Sequence, residues 1–178
     1  MATDAFLQFA EGGAAGGPVE GETQDEYYRK QKPPAFEIST WKFGTKNKAT
    51  IGSATYGAGS GKAEFDPFTV EKSVDISTPF LFENCCSGAH YKEVTLNVRK
   101  SGAEKGKAGQ PFLKWKFAMV FVEKMEWAKG DDAPKETVTF RYGAIQFAYN
   151  KQNPDGSLVQ AATYEWSQLH NANEYAVE

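Results

Sequence analysis

A chain of 178 residues suits one domain and is short for two ordinary ones; folding at this size hides roughly 70% of the surface the unfolded chain exposes, so a core forms without a disulfide or metal staple. The formal charge of −3, with 20 basic and 23 acidic residues interspersed, lacks the cationic excess that phosphate binding demands and argues against nucleic acid as the main partner. Cys85 and Cys86, the two cysteines, are neighbours; a bridge between adjacent residues is strained, so they read as reduced thiols acting as small apolar groups.

The first nine residues show neither a basic n-region nor an apolar h-region, so no signal peptide is expected. No apolar run reaches the ~18 residues of a membrane span, so no membrane insertion is expected. The chain is expected to be made in the cytoplasm and to leave it, if at all, by a dedicated machine.

Residues 5–10 read as an opening strand that runs into a glycine-rich loop over 11–18. Residues 22–34 are charged and end in Pro33-Pro34; proline cannot serve a central strand, so this segment is expected to be a surface insertion. A strand follows over 35–43. Residues 44–61 hold Gly44, Gly52, Gly57, Gly59 and Gly61 and almost no large apolar side chain. They predict a long extended loop, of a length that is usually functional or disordered. Phe68, Val70 and Val74 alternate in the next strand, interrupted by Lys72.

A helix is predicted over about 78–87: Ser77 or Thr78 can cap it, Pro79 suits its first turn, and Gly88 is placed to end it. Alternation is clean over 94–98. The longest strand covers 113–127, where Leu113, Trp115, Phe117, Met119, Phe121, Met125 and Trp127 share one parity. Ala118, Val120 and Val122 on the other parity imply that the second face is also covered, by a sheet or by another subunit. Apolar parity then flips at Gly143-Ala144, which is how a β-bulge appears in sequence. A turn at 153–156 leads to a last strand over 158–168. The fold class is all-β, a compact β-barrel or two-sheet sandwich with one short α-helix and a long glycine-rich extended loop, in one domain over 1–178.

Catalytic patterns are thin. His90 and His170 lack a clear acidic or nucleophilic partner. Cys85 and Cys86 sit in an apolar helix, whereas a reactive thiol wants an electropositive, partly open site. With His90 they match no zinc spacing, so no metal and no cofactor is expected. Residues 57–63 imitate a phosphate loop, but the first glycine is one residue too close and Ala63 stands where the magnesium-binding hydroxyl belongs. What remains is an aromatic-rich barrel with a glycine-rich arm. Self-assembly would cover its edges and second faces, while a monomeric barrel with a loose loop fits composition equally well.

Residues 64–102 carry a resemblance. Phe68-Thr69, Lys72, Asp75 and Ser77-Thr78-Pro79 are followed by Cys86, Gly88, His90-Tyr91, Leu96, Arg99-Lys100 and Gly102. This pattern resembles the Hcp family, the tube protein of the bacterial type VI secretion system. Residues 4–9, 140–149 and 164–167 are similar to other family segments more loosely. The resemblance implies a homo-hexameric ring around a wide lumen. Rings would stack into a tube that a contractile sheath expels, with a VgrG-type spike and effector proteins as further partners. It implies secretion through the type VI machinery, and no catalysed reaction. It places Gly44, Gly52, Gly57, Gly59 and Gly61 in the arm that contacts an adjacent ring. Ser77, Thr78, Pro79, Cys86, Gly88, His90 and Tyr91 take structural roles, capping the helix, ending it and starting the next strand. The rival expectation is a monomeric or oligomeric β-barrel binding or adaptor module that forms no tube.

Overall fold

Alternating sequence resolves into ten strands and one α-helix in a computed structural model that describes residues 3–10, 19–50, 59–101, 110–153 and 157–178. In chain order these are β1 (Thr3–Phe9), β2 (Phe36–Ile38), β3 (Thr40–Lys42), β4 (Thr45–Thr50), β5 (Gly59–Phe65), β6 (Phe68–Ser73), α1 (Thr78–Ser87), β7 (His90–Lys100), β8 (Leu113–Ala128), β9 (Lys135–Gln152) and β10 (Leu158–Ser167).

The main sheet runs β2-β1-β7-β8-β9-β6-β3, each neighbouring pair antiparallel. Its two ends, β2 and β3, are separated only by Ser39, whose N–H donates to Glu71 O at 2.8 Å. The expected strand over 35–43 is therefore one bent piece of chain that pairs with β1 on one side of Ser39 and with β6 on the other. That bend curls the sheet into a barrel and leaves few open edges. β9 divides its outer edge, pairing with β6 over residues 135–140 and with β10 over residues 144–152.

Leu7, Phe9, Phe36, Phe68, Leu96, Phe117 and Phe140 fill the barrel, all 1% exposed or less. Phe68 stacks on Phe117 at 4.5 Å and on Phe140 at 5.8 Å. α1 packs against β8 and sends Leu81 into the same core, which contributes about 1.5–3 kcal/mol by removal from water.

Apolar parity does change near Gly143, but no residue is inserted there. The β8–β9 register holds from Leu113↔Tyr149 to Val122↔Phe140, and its shift lies between Val122 and Lys124. Instead both strands kink together. β8 turns at Met119, which has φ +52°, opposite the same stretch of β9. Phe117 and Ile145 face the core before the kink; Val120 and Tyr142 face it afterwards. Consequently Met119 and Phe121 do not continue the face of Phe117; the register shift between Val122 and Lys124 then returns Met125 to the core side and sets Trp127 opposite buried Glu136, with Trp127 still half exposed. Gly143 suits the kink, because a Cβ there would meet Val177 Cγ1 at 3.1 Å and Met119 Cβ at 3.3 Å.

The segment over 22–34 is more than surface. Most of its side chains are exposed, but Tyr28 is 1% exposed and stacks on Phe6 at 4.1 Å, with Ala35 completing a second small core. Arg99 lies over the Phe6 ring at 4.9 Å and pairs with Asp4 and Asp25, tying the segment to β7. The expected long loop over 44–61 is also revised: its described parts are strands, β4 and β5, paired with each other as a hairpin.

Candidate functional site

The hairpin grows from the barrel at Gly44 and Asp66. Asp66 N–H donates to Gly44 O at 2.8 Å, and a Cβ on Gly44 would stand 2.9 Å from the Asp66 carboxylate. Close approach, not a positive φ, is what Gly44 supplies; Gly88 holds the positive φ among the described glycines. Tyr142 Oη donates to Asp66 O at 3.1 Å and anchors the base to β9. Beyond it, β4 and β5 form a sheet of their own and join no barrel strand.

Thr50 pairs with Gly59, and the register slips by one residue between Asn47 and Ala49. Gly61 lies within β5; Gly52 and Gly57 fall outside the described residues. The segment that imitates a phosphate loop thus enters a strand, with Lys62 and Ala63 in β5. Lys46 and Lys48 reach Glu64 at 3.3 and 3.2 Å on an open surface. Hydrogen bonds and charge from Lys48 and then Lys46 hold the Glu64 carboxyl below the usual carboxylate range. A cleft of about 560 Å³ separates the hairpin from Trp166 and Asn171.

At the far end of β6 the family-like residues gather around one buried cation. Lys72, read in sequence as an interruption, is 2% exposed and pairs with Asp75 at 2.6 Å and Glu136 at 2.8 Å. Thr78 Oγ1 donates to Glu136 Oε1 at 2.9 Å, and Trp127 Nε1 donates to Glu136 Oε2 at 3.0 Å. Ser77 Oγ donates to Asp75 Oδ1 at 2.5 Å. Neither hydroxyl caps α1, contrary to expectation, because the buried carboxylates take both. Pro79 stands in the first turn, where its missing N–H removes no helical bond. Gly88 closes the helix at φ +70° with its N–H on Asn84 O at 3.0 Å.

His90 opens β7 as an exposed residue whose ring lies 5.3 Å from Phe121. Tyr91 is 2% exposed and meets Phe9 edge-on at 4.6 Å. Burial pushes its phenol well above the usual range and Asn84 opposes this, but neither the Tyr91 hydroxyl nor Asn84 Oδ1 closes a hydrogen bond of normal geometry. Cys86 is exposed and Cys85 half-buried; burial, then Cys86, pushes the Cys85 thiol up, the wrong direction for a nucleophile. His170 pairs with Glu174 at 2.5 Å near the C-terminus. Among the described residues no three His, Cys, Asp or Glu side chains gather to hold a metal.

Two surface features escaped the sequence reading. β10 pairs with β9 along one edge only, and it carries Val159 and Tyr164 at 54% and 70% exposure. Beside α1, Phe82 and Trp127 lie half exposed with ring centres 6.0 Å apart. The register shift after Val122 sets Trp127 at the end of β8 opposite Glu136, and strict alternation could not have foretold it.

A family model described as "Type VI secretion system effector, Hcp" matches residues 6–149. A curated relative, Protein hcp1 of Pseudomonas aeruginosa, is 27% identical over 157 residues, covering 88% of this chain and 89% of that protein. A solved type six secretion system protein superposes with a TM-score of 0.80 at 22% identity, over 97% of this chain and 100% of that one. Hcp1 from Salmonella typhimurium gives a TM-score of 0.70 at 21% identity, over 98% and 100% of the two chains. At such identities the solved structures speak for the fold.

Proposed function

The chain belongs to the Hcp family of type VI secretion tube proteins, and on that premise we propose that it self-assembles into hexameric rings that stack into an expelled tube. The observation that carries this reading is the β4–β5 hairpin, which leaves the barrel at Gly44 and finds no partner strand there. An isolated two-stranded sheet is marginal in water, so a hairpin of this kind gains most when it lies against another copy. Gly44, Gly59 and Gly61, with Gly52 and Gly57 in the adjoining segment, belong to this stacking arm. The open edge of β10 supports lateral contact within a ring, since an unpaired edge presents backbone donors and acceptors to a neighbour. The network around Lys72, with Ser77, Thr78 and Pro79, keeps α1 and the end of the barrel rigid for assembly.

Proteins of this family are secreted by the type VI system. We infer the same route for this chain, with a VgrG-type spike, the contractile sheath and lumen-borne effectors as partners, and with no chemical turnover of its own. Native mass measurement and negative-stain imaging test the reading. Six-fold rings that lengthen into stacks at high concentration are the expected result. A strictly monomeric species at the same concentration would overturn it.

A further inference from the structure

One cleft of about 280 Å³ lies apart from the β4–β5 hairpin and the open edge of β10. It lies where the outer faces of β1, β7 and β8 meet the segment around Tyr27 to Lys32. Its floor carries Asn97 and Thr95, 5% and 9% exposed, and neither side chain has a hydrogen-bond partner among the described residues. Both residues line the cleft, so the amide and the hydroxyl are free to hydrogen-bond a ligand that enters it.

The β7–β8 register sets Lys114 opposite Asn97 and Lys116 opposite Thr95. Lys116 is engaged by Glu93 at 3.1 Å, and Glu93 also accepts from Tyr175 Oη at 3.0 Å. Lys114 has no acidic partner among the described residues. Burial, then Lys116, pushes its ammonium below the usual lysine range, with Glu93 acting the other way. Lys32, in the segment that meets the three strands, adds a third ammonium to the lining. Three lysines therefore line the cleft against one carboxylate, and that carboxylate is already paired.

We propose that this cleft binds a carboxylate, with the Lys114 ammonium as counter-charge and the Asn97 amide and Thr95 hydroxyl donating hydrogen bonds to its oxygens. The Lys114 ammonium beside two neutral donors matches one carboxylate group, and Lys32, also without an acidic partner among the described residues, is left for a second such group on a small diacid. The carboxylate comes either from a small free acid or from an acidic side chain of a second copy, and the site does not depend on tube formation.

The test follows the Lys114 side-chain resonances of the full chain by NMR. Dilute protein is titrated with malonate, and a separate series raises protein concentration without malonate. A saturable shift with malonate, together with a rise in the pH midpoint of Lys114, assigns a free acid. A shift that appears only with protein concentration assigns a second copy. Calorimetry with malonate is expected to lose its heat in Lys114→Met and to weaken at least threefold in Asn97→Leu. Thr95→Val serves as the check should Asn97→Leu unfold, with thermal melts reporting the fold of each variant. Lys114 resonances unmoved by both malonate and concentration overturn the site, and so does inorganic phosphate binding as tightly as malonate.

Discussion

The barrel wall and the β4–β5 hairpin are both antiparallel sheet, yet different forces hold them. In the barrel, alternate side chains enter a shared aromatic core around Phe68, Phe117 and Phe140, and the bend at Ser39 pairs the sheet's ends. In the hairpin the visible cross-strand contacts are Lys46 and Lys48 with Glu64, all well exposed. Exposed pairs of this sort contribute little, with a median of about 0–1 kcal/mol. The barrel folds for its own stability, while the hairpin is carried by it and stays available for contact.

That contrast is broken most forcefully from within the core. Phe117→Ala is expected to cost about 3–5 kcal/mol in urea unfolding, because it removes a ring that touches Phe43, Phe68 and Tyr142. Glu136→Ala is expected to cost about 3 kcal/mol by the same measurement, since Lys72 would lose its principal buried partner. Joint replacement, Lys72→Met with Glu136→Leu, is expected to recover most of that loss. A double variant no more stable than Glu136→Ala would show that hydrogen bonds to Thr78 and Trp127 matter more than the charge.

The segment over 22–34 lies between the two extremes. Burial works against the Asp25 carboxylate, but hydrogen bonds from the Tyr28 N–H and from Arg99 overcome this and hold its pKa below the ordinary value. A depressed folded-state pKa means stability fully present above the unfolded value, about 4, and lost as pH falls through the folded value. Asp25→Asn should therefore lower stability at neutral pH and flatten its further loss between about pH 4 and 2. Unfolding free energies measured across that window would decide it, and an unchanged slope would remove Asp25 from the acid response.

The smallest effect on folding is expected at the hairpin. Deleting residues 45–60 leaves 61–65 to bridge Gly44 and Asp66, which are already hydrogen-bonded. The urea midpoint should hold while ring stacks, counted in micrographs, disappear. Loss of the barrel itself would show that the hairpin is structural.

Much of this was legible in the chain. The strand over 113–127 and the helix bounded by Pro79 and Gly88 follow from local rules of backbone and side chain, while the turn expected over 153–156 lies mostly outside the described residues. The resemblance over 64–102 came from the same stretch of sequence. Lys72 was legible only as an exception: a charge amid alternating apolar positions marks a buried pair, but its partner Glu136 is 64 residues away by the numbering. Tyr28 was hidden in a charged, proline-ended segment, because nothing local reveals that Phe6 and Arg99 wait for it.

By itself the sequence determined the class of the fold, the helix and its terminus, and the family pattern, since each depends on dihedral preference and period within a few residues. Tertiary structure alone decided that β2 and β3 close the barrel, that β8 and β9 kink together at Met119 and Gly143, and that the glycine-rich arm begins as a self-paired hairpin. Those outcomes depend on which strand edges meet across long separations, and an alternating pattern says which face is apolar without saying which neighbour completes it.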